Sequence, residues 1–223
     1  MSLNRRHFSL SAVALGAAGS IAVTPSWAQS NVPVEGEQYI KMAQPVNLGT
    51  PAGKVEVLEF FWYSCPHCNT FEPMFNKWKQ VQPDDVIVRR VPVAFQQNGN
   101  FIPQQKLYYT LEAMDLLDKV HPAVFNAIHN ERKRLTSDDA VFAWIGTQGV
   151  DVEEFKKNYN SFSVASAVRR ASQLQDEYRV EGVPSLGVAG KYYTDGPRAR
   201  NLANALQVVE YLIEEERKAG GAK

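Results

Sequence analysis

Residues 54–68 read KVEVLEFFWYSCPHC. The first ten are rich in β-branched and aromatic side chains and apolar on both faces, the composition of a central strand covered on both sides. Beyond the cysteines, Phe71, Met74, Phe75, Trp78 and Val81 recur at helical spacing. Pro66 suits the first helical position, where its missing N–H costs nothing, and Pro83 ends the helix. Residues 86–95, VIVRRVPVAF, read as the next strand, with Pro92 marking an edge or an end.

Upstream, residues 31–53 are punctuated by Pro and Gly, and a short strand is expected at Val46-Asn47-Leu48 before the Gly49-Thr50-Pro51 turn. Downstream, residues 104–159 have a different texture. Three or so amphipathic helices are punctuated by Pro122, by Thr136-Ser137-Asp138 as an N-cap signal, and by Gly146 and Gly149. Residues 163–179 form another long helix. Then come Gly182-Val183-Pro184, an apolar strand over 185–189, a turn at Gly190-Lys191, a strand at Tyr192-Tyr193 and a terminal helix from about 201 to 219. The order is β-α-β, a block of helices, then α-β-β-α, an α/β fold carrying a helical insertion.

The 223 residues are 44% hydrophobic and 22% charged, with 24 Lys plus Arg against 24 Asp plus Glu and two Cys. This excludes a disordered, collagen-like or disulfide-stapled chain. Balanced charge gives no reason to expect nucleic acid as a partner. Residues 1–28 carry Arg5 and Arg6, then an uncharged run over 10–23, then Ser26-Trp27-Ala28, a small-x-small cleavage pattern. The run is too short to span a bilayer, so a cleaved export signal is expected, with the mature chain beginning at Gln29. Both the twin-arginine route and the general secretory route fit Asn4-Arg5-Arg6-His7-Phe8. Cleavage leaves 22 basic against 24 acidic side chains, and both cysteines, in an oxidising compartment.

Cys65-Pro66-His67-Cys68 is the constellation that carries chemistry. At the start of a helix the first sulfur faces open N–H groups and the positive end of the dipole, which favours thiolate over thiol. His67 adds to this as a cation or a hydrogen-bond donor. Cys65 is thus expected to be an exposed nucleophile with a depressed pKa, and Cys68 the resolving thiol one turn in. A purely structural disulfide fits poorly, since a four-residue loop is worth only about 2 kcal/mol against roughly 5 for a loop of about 100 residues. Zinc normally takes four ligands, and beyond the cysteine pair only His67, His121 and His129 remain, with no second C-x-x-C and no paired His spacing; the last two are read as surface or cap residues. Haem attachment needs His where Asn69 stands.

The strand-helix order, residues 57–68 (VLEFFWYSCPHC), the helical block, and Gly182-Val183-Pro184 about 116 residues after Cys68 together resemble the DsbA family of periplasmic thiol:disulfide oxidoreductases. The resemblance implies a thioredoxin fold with an inserted all-helical domain. The implied thioredoxin-like domain spans residues 29–97 and 168–223, with the insertion at 98–167. Cys65 and Cys68 match the family's redox pair, and Pro66 and His67 its tuning dipeptide. Val183 and Pro184 match the residue and cis-proline that face the pair and take the substrate backbone. Thr is usual at the Val183 position in relatives that isomerise disulfides, which favours an oxidase. Glu59 matches a buried acid expected to assist proton transfer for Cys68. Arg90 stands where relatives place a Lys, which favours a fixed ion pair over a proton relay.

No cofactor is implied beyond a redox-active Cys65–Cys68 disulfide, and no metal. The implied partners are reduced, unfolded exported proteins and a DsbB-type membrane quinone reductase, with the protein a periplasmic monomer. A Cys65 pKa about 3 units below pH 7 would favour the reduced protein by roughly 4 kcal/mol, or about 90 mV for two electrons. The resemblance implies the same direction, since in the DsbA family a low thiol pKa goes with a strongly oxidising couple. A reductase or isomerase on the same fold, or a redox-inert peptide-binding chaperone, are the alternatives.

Overall fold

The computed structural model describes residues 32–96 and 99–220, so the expected export signal and its cleavage point lie outside the described residues. Strand β2 (Val55–Phe61) is buried at every residue. Helix α1 (Pro66–Gln80) follows it, and β3 (Val86–Pro92) returns parallel to β2, with Val55 beside Val86 and Glu59 beside Arg90. β3 forms one edge of the sheet, where Pro92, its last residue, costs no ladder bond. After the helices come β4 (Ser185–Val188), β5 (Tyr192–Asp195) and α7 (Leu202–Gly220). β4 lies antiparallel to both β2 and β5. The first strand is β1 (Ile40–Lys41), antiparallel to β5, and the sheet order is β1-β5-β4-β2-β3. This is the expected thioredoxin arrangement.

The strand expected at Val46-Asn47-Leu48 is not formed. Val46 donates its N–H to Gly190 O at 2.7 Å and Asn47 O accepts from the Arg170 side chain at 2.7 Å, so no ladder forms there, while Ile40 and Lys41 pair with Tyr193 and Tyr192. Between β3 and β4 lie α2 (Ile102–Ala113), α3 (Leu117–His129), α4 (Asp138–Gly146), α5 (Val152–Tyr159) and α6 (Phe162–Glu177). Pro122 lies inside α3 rather than between helices. At the sixth helical residue it removes one intrahelical bond, and the buried Val120, Val124 and Phe125 hold the helix across the gap. Ser137 caps α4 as expected, its hydroxyl accepting from Ala140 N–H.

Each face of the sheet has its own core. Val55 and Val57 pack with Phe71 and Phe75 of α1 and with Val209, Leu212 and Ile213 of α7. Leu58 and Phe60 join the core that includes Leu107, Val124, Trp144 and Leu174 of the intervening helices. Phe61 and Tyr63 belong to this second core. The chain therefore leaves β2 where the helical block begins to cover it.

Candidate redox site

The chain bends at residues 62–64, and Cys65 N–H donates to Trp62 O at 3.0 Å. Cys65 is the N-cap of α1, with φ −78° and ψ 119°, but its side chain makes no cap bond. Its carbonyl accepts the first helical bond, from Asn69 N–H at 3.1 Å, and Pro66 opens the helix. The sulfur is therefore placed at the first turn without being consumed in closing it. Cys68 is buried within that turn, and the two thiols are unbonded in this structure. Pro66 and His67 are exposed.

Facing the pair is the Val183–Pro184 segment, joined by a cis peptide bond. Cys65 Sγ–H donates to Val183 O at 3.4 Å. This contact corrects one expectation: Cys65 is only 8% exposed, because the segment before β4 lies against its sulfur. A groove of about 490 Å³ runs from His67 past Gly182, Val183 and Pro184 to Pro197 and Leu202.

The two thiols have opposite electrostatics. A hydrogen bond from the Cys68 side chain outweighs the penalty of burial at Cys65. With the Cys68 and His67 N–H groups and the His67 charge, it lowers Cys65 to about 6. Cys68 is pushed far up, first by burial and then by its neighbour Cys65, with Glu59 adding to the effect.

Glu59 is 1% exposed, so it does not reach solvent at the sheet edge. Arg90 Nε donates to its Oε2 at 2.9 Å. Arg90 Nη2 also donates to Glu72 Oε1 at 2.8 Å and to Asn76 Oδ1 at 2.7 Å. One guanidinium thus serves two buried carboxylates, and its charge can balance only one of them. Glu72 has further partners, Asn76 Nδ2 at 2.8 Å and His121 Nε2 at 3.2 Å. Burial raises Glu72, but His121 and Arg90 together hold it below the usual range. Glu59 is raised to about 8 by burial, which outweighs Arg90. The proton of the cluster therefore rests on Glu59 near neutrality.

Neither Glu72 nor His121 is anticipated by sequence as part of this site. His121 is no surface residue: it is buried among Phe61, Tyr63, Tyr108 and Phe125. Its Nδ1 lies 2.7 Å from Tyr63 Oη. Burial lowers its pKa against the pull of Glu72, so it sits neutral, accepting from Tyr63 and directing Nε2–H toward Glu72. The nearest sequence signal is its spacing, since His121, Val124, Phe125 and Ile128 share one stripe of α3.

The helical block also grips the segment leading to Cys65. Gln104 Nε2 donates to Ser64 Oγ at 2.7 Å, His129 Nε2 donates to Tyr63 O at 2.8 Å, and Trp62 Nε1 donates to Asn100 O at 3.3 Å. His129, the last residue of α3, thus satisfies a backbone carbonyl outside its own helix. Tyr63 and Phe71 are core residues, while Trp62 is half-buried.

The profile of the DSBA-like thioredoxin domain matches residues 56–207. The chain is 44% identical over 203 residues to the thiol:disulfide interchange protein DsbA of Bordetella parapertussis, covering 91% of this chain and 95% of the relative. It is 39% identical to the protein of the same name from Burkholderia cepacia, covering 89% and 91%. The crystal structure of Pseudomonas aeruginosa DsbA superposes with a TM-score of 0.81 at 38% identity, covering 86% of this chain and 98% of that one. The chain therefore belongs to the DSBA-like thioredoxin-domain family and is a disulfide oxidoreductase.

Proposed function

We propose that the protein is a dithiol oxidase that donates a Cys65–Cys68 disulfide to reduced, newly exported proteins in the periplasm. The observation that carries this reading is the asymmetry of the pair, Cys65 lowered to about 6 at an open helix end and Cys68 raised within the first turn. A substrate thiolate attacks Cys65 Sγ, the Cys65–Cys68 bond breaks, and Cys68 leaves with the electron pair. A sulfur with so high a proton affinity leaves only when protonated, and Glu59 is the carboxyl that can hold that proton. The substrate's second thiolate then attacks the substrate sulfur of the mixed disulfide. Cys65 departs as a thiolate, and its low pKa makes it the better leaving group.

The direction of transfer follows from the sign of the shift. A depressed thiol pKa stabilises the reduced protein at pH above that pKa, and the effect is lost as pH falls through about 6. At pH 7 a value of about 6 favours the reduced protein by roughly 1.4 kcal/mol, or about 30 mV. That is smaller than the 3-unit case but of the same sign. Val183, Pro184 and the groove beside them would hold the substrate backbone while its cysteine meets Cys65. The reduced pair would be returned to the disulfide by a DsbB-type membrane quinone reductase. No helix among the described residues is long and apolar enough to cross a membrane. The export signal, the division into a thioredoxin-like domain (29–97, 168–223) and an inserted domain (98–167), and a monomeric state complete the proposal.

The test is catalysed oxidation of a reduced, unfolded protein. The reading expects acceleration that Cys65→Ala abolishes; no acceleration, or equal activity in Cys65→Ala, rejects it.

A further inference from the structure

Beside the redox site lies a second cleft, of about 440 Å³, that the mechanism above does not use. Trp62 and Ser64 line it, and Ser64 is one Cα step, about 3.8 Å, from Cys65. Trp62 is held in place by its bond to Asn100 O and by Phe101, whose ring centroid lies 4.6 Å away. Also lining the cleft are Arg132, Lys133 and Arg134, three consecutive exposed bases just after α3. Lys133 is paired with Glu131 at 3.0 Å, and Glu131 is also held by Asn126. Among the described residues no carboxylate is paired with Arg132 or Arg134, and none lines the cleft. In a chain whose charges balance at 24 against 24, this is a concentrated positive patch on a cleft whose wall includes the residue before the nucleophile.

We infer that this cleft is a subsite for acidic side chains of the substrate polypeptide, flanking the cysteine that bonds to Cys65. The inference rests on the oxidase reading and adds a specificity to it. Cys65 stands between Ser64, which lines the basic cleft, and His67, which lines the groove at Val183 and Pro184. An extended chain advances about 3.3 Å per residue, so an Asp or Glu two to four residues from the substrate cysteine lies about 7–13 Å along the substrate from it, and those are the positions the subsite would read. Trp62 offers its ring to the apolar stem beside such a carboxylate, and Arg132 and Arg134 supply unpaired guanidinium groups to its oxygens. Contacts of this kind are exposed, so they steer and select and are weakened by salt.

The experiment uses the full, oxidised protein and dithiol peptides that differ only at positions two to four on either side of the reactive cysteine, carrying Asp, Asn or Lys. The Asp peptides are expected to be oxidised about fivefold faster than Asn at low salt, with Lys slowest, and the order to collapse near 1 M salt. The salt comparison reads the unaltered protein. The double variant Arg132→Ala, Arg134→Ala should lose the preference. Lys77→Ala, about 18 Å along α1 from Cys65, should keep it. Equal rates for the three peptides, or a preference that survives the double variant, overturns the subsite and leaves the oxidase reading intact. If no peptide is oxidised, both fall.

Discussion

Replacing Glu59 by Gln should make the reduced protein more stable at neutral pH, although it removes one partner of a buried ion pair. In the folded chain Glu59 is raised from 4.5 to about 8, chiefly by burial. A carboxyl with a raised folded pKa contributes fully below its unfolded value and loses that contribution as pH rises to the folded one. Between about pH 4.5 and 8 the folded state holds a proton that the unfolded state releases, so stability falls by about 1.36 kcal/mol per pH unit. At pH 7 this amounts to about 3 kcal/mol. Gln carries no such proton, and its Oε1 can accept from Arg90 Nε as Glu59 does now. Arg90 keeps Glu72 and Asn76. Urea unfolding of the two reduced proteins should therefore give a Gln variant about 3 kcal/mol more stable at pH 7 and equal to the parent near pH 4. A variant less stable than the parent at pH 7 would mean that Glu59 is ionised and firmly paired with Arg90. The assignment of the proton to Glu59 would then be wrong.

The ultraviolet absorbance of the Cys65 thiolate should appear with a midpoint of about 6; a midpoint near 9 would remove the electrostatic asymmetry of the pair. Cys68→Ala, with Cys65 first charged as a mixed disulfide with glutathione, should exchange glutathione for a reduced substrate and hold that substrate on Cys65 as a mixed disulfide visible by mass spectrometry; absence of the adduct would argue against attack at Cys65. His121→Leu should destabilise the fold by about 2 kcal/mol at pH 7, because Tyr63 Oη and Glu72 both lose a buried partner. Unchanged urea stability would show that these contacts contribute nothing.

The central strand, α1 and the paired cysteines were legible because local signals agreed: a doubly buried apolar run, a first-turn proline and a helical stripe all coincide within residues 54–81. The β1 edge of the sheet carries no such signal, unlike the β3 edge that Pro92 marks. Two residues, Ile40 and Lys41, make β1, and too short a segment carries no periodicity. Pro122 misled in the opposite direction, since tertiary packing kept α3 continuous through it. In the site, Glu59 declared itself as a charge in an apolar strand, whereas Glu72 looked like an ordinary helix acid. Only the fold brings it to Arg90 and His121, from β3 and α3 respectively. The low exposure of Cys65 depends in the same way on a segment 118 residues distant in sequence, at Val183.

Equilibration of the Cys65–Cys68 pair against glutathione buffers reads the thiolate stabilisation and the direction of electron flow together, and so bears most directly on the proposed oxidase. The couple should be more oxidising than thioredoxin's, which lies at about −270 mV, so that the protein is already reduced at glutathione ratios that leave a thioredoxin disulfide intact. A potential as reducing as thioredoxin's would contradict the oxidase.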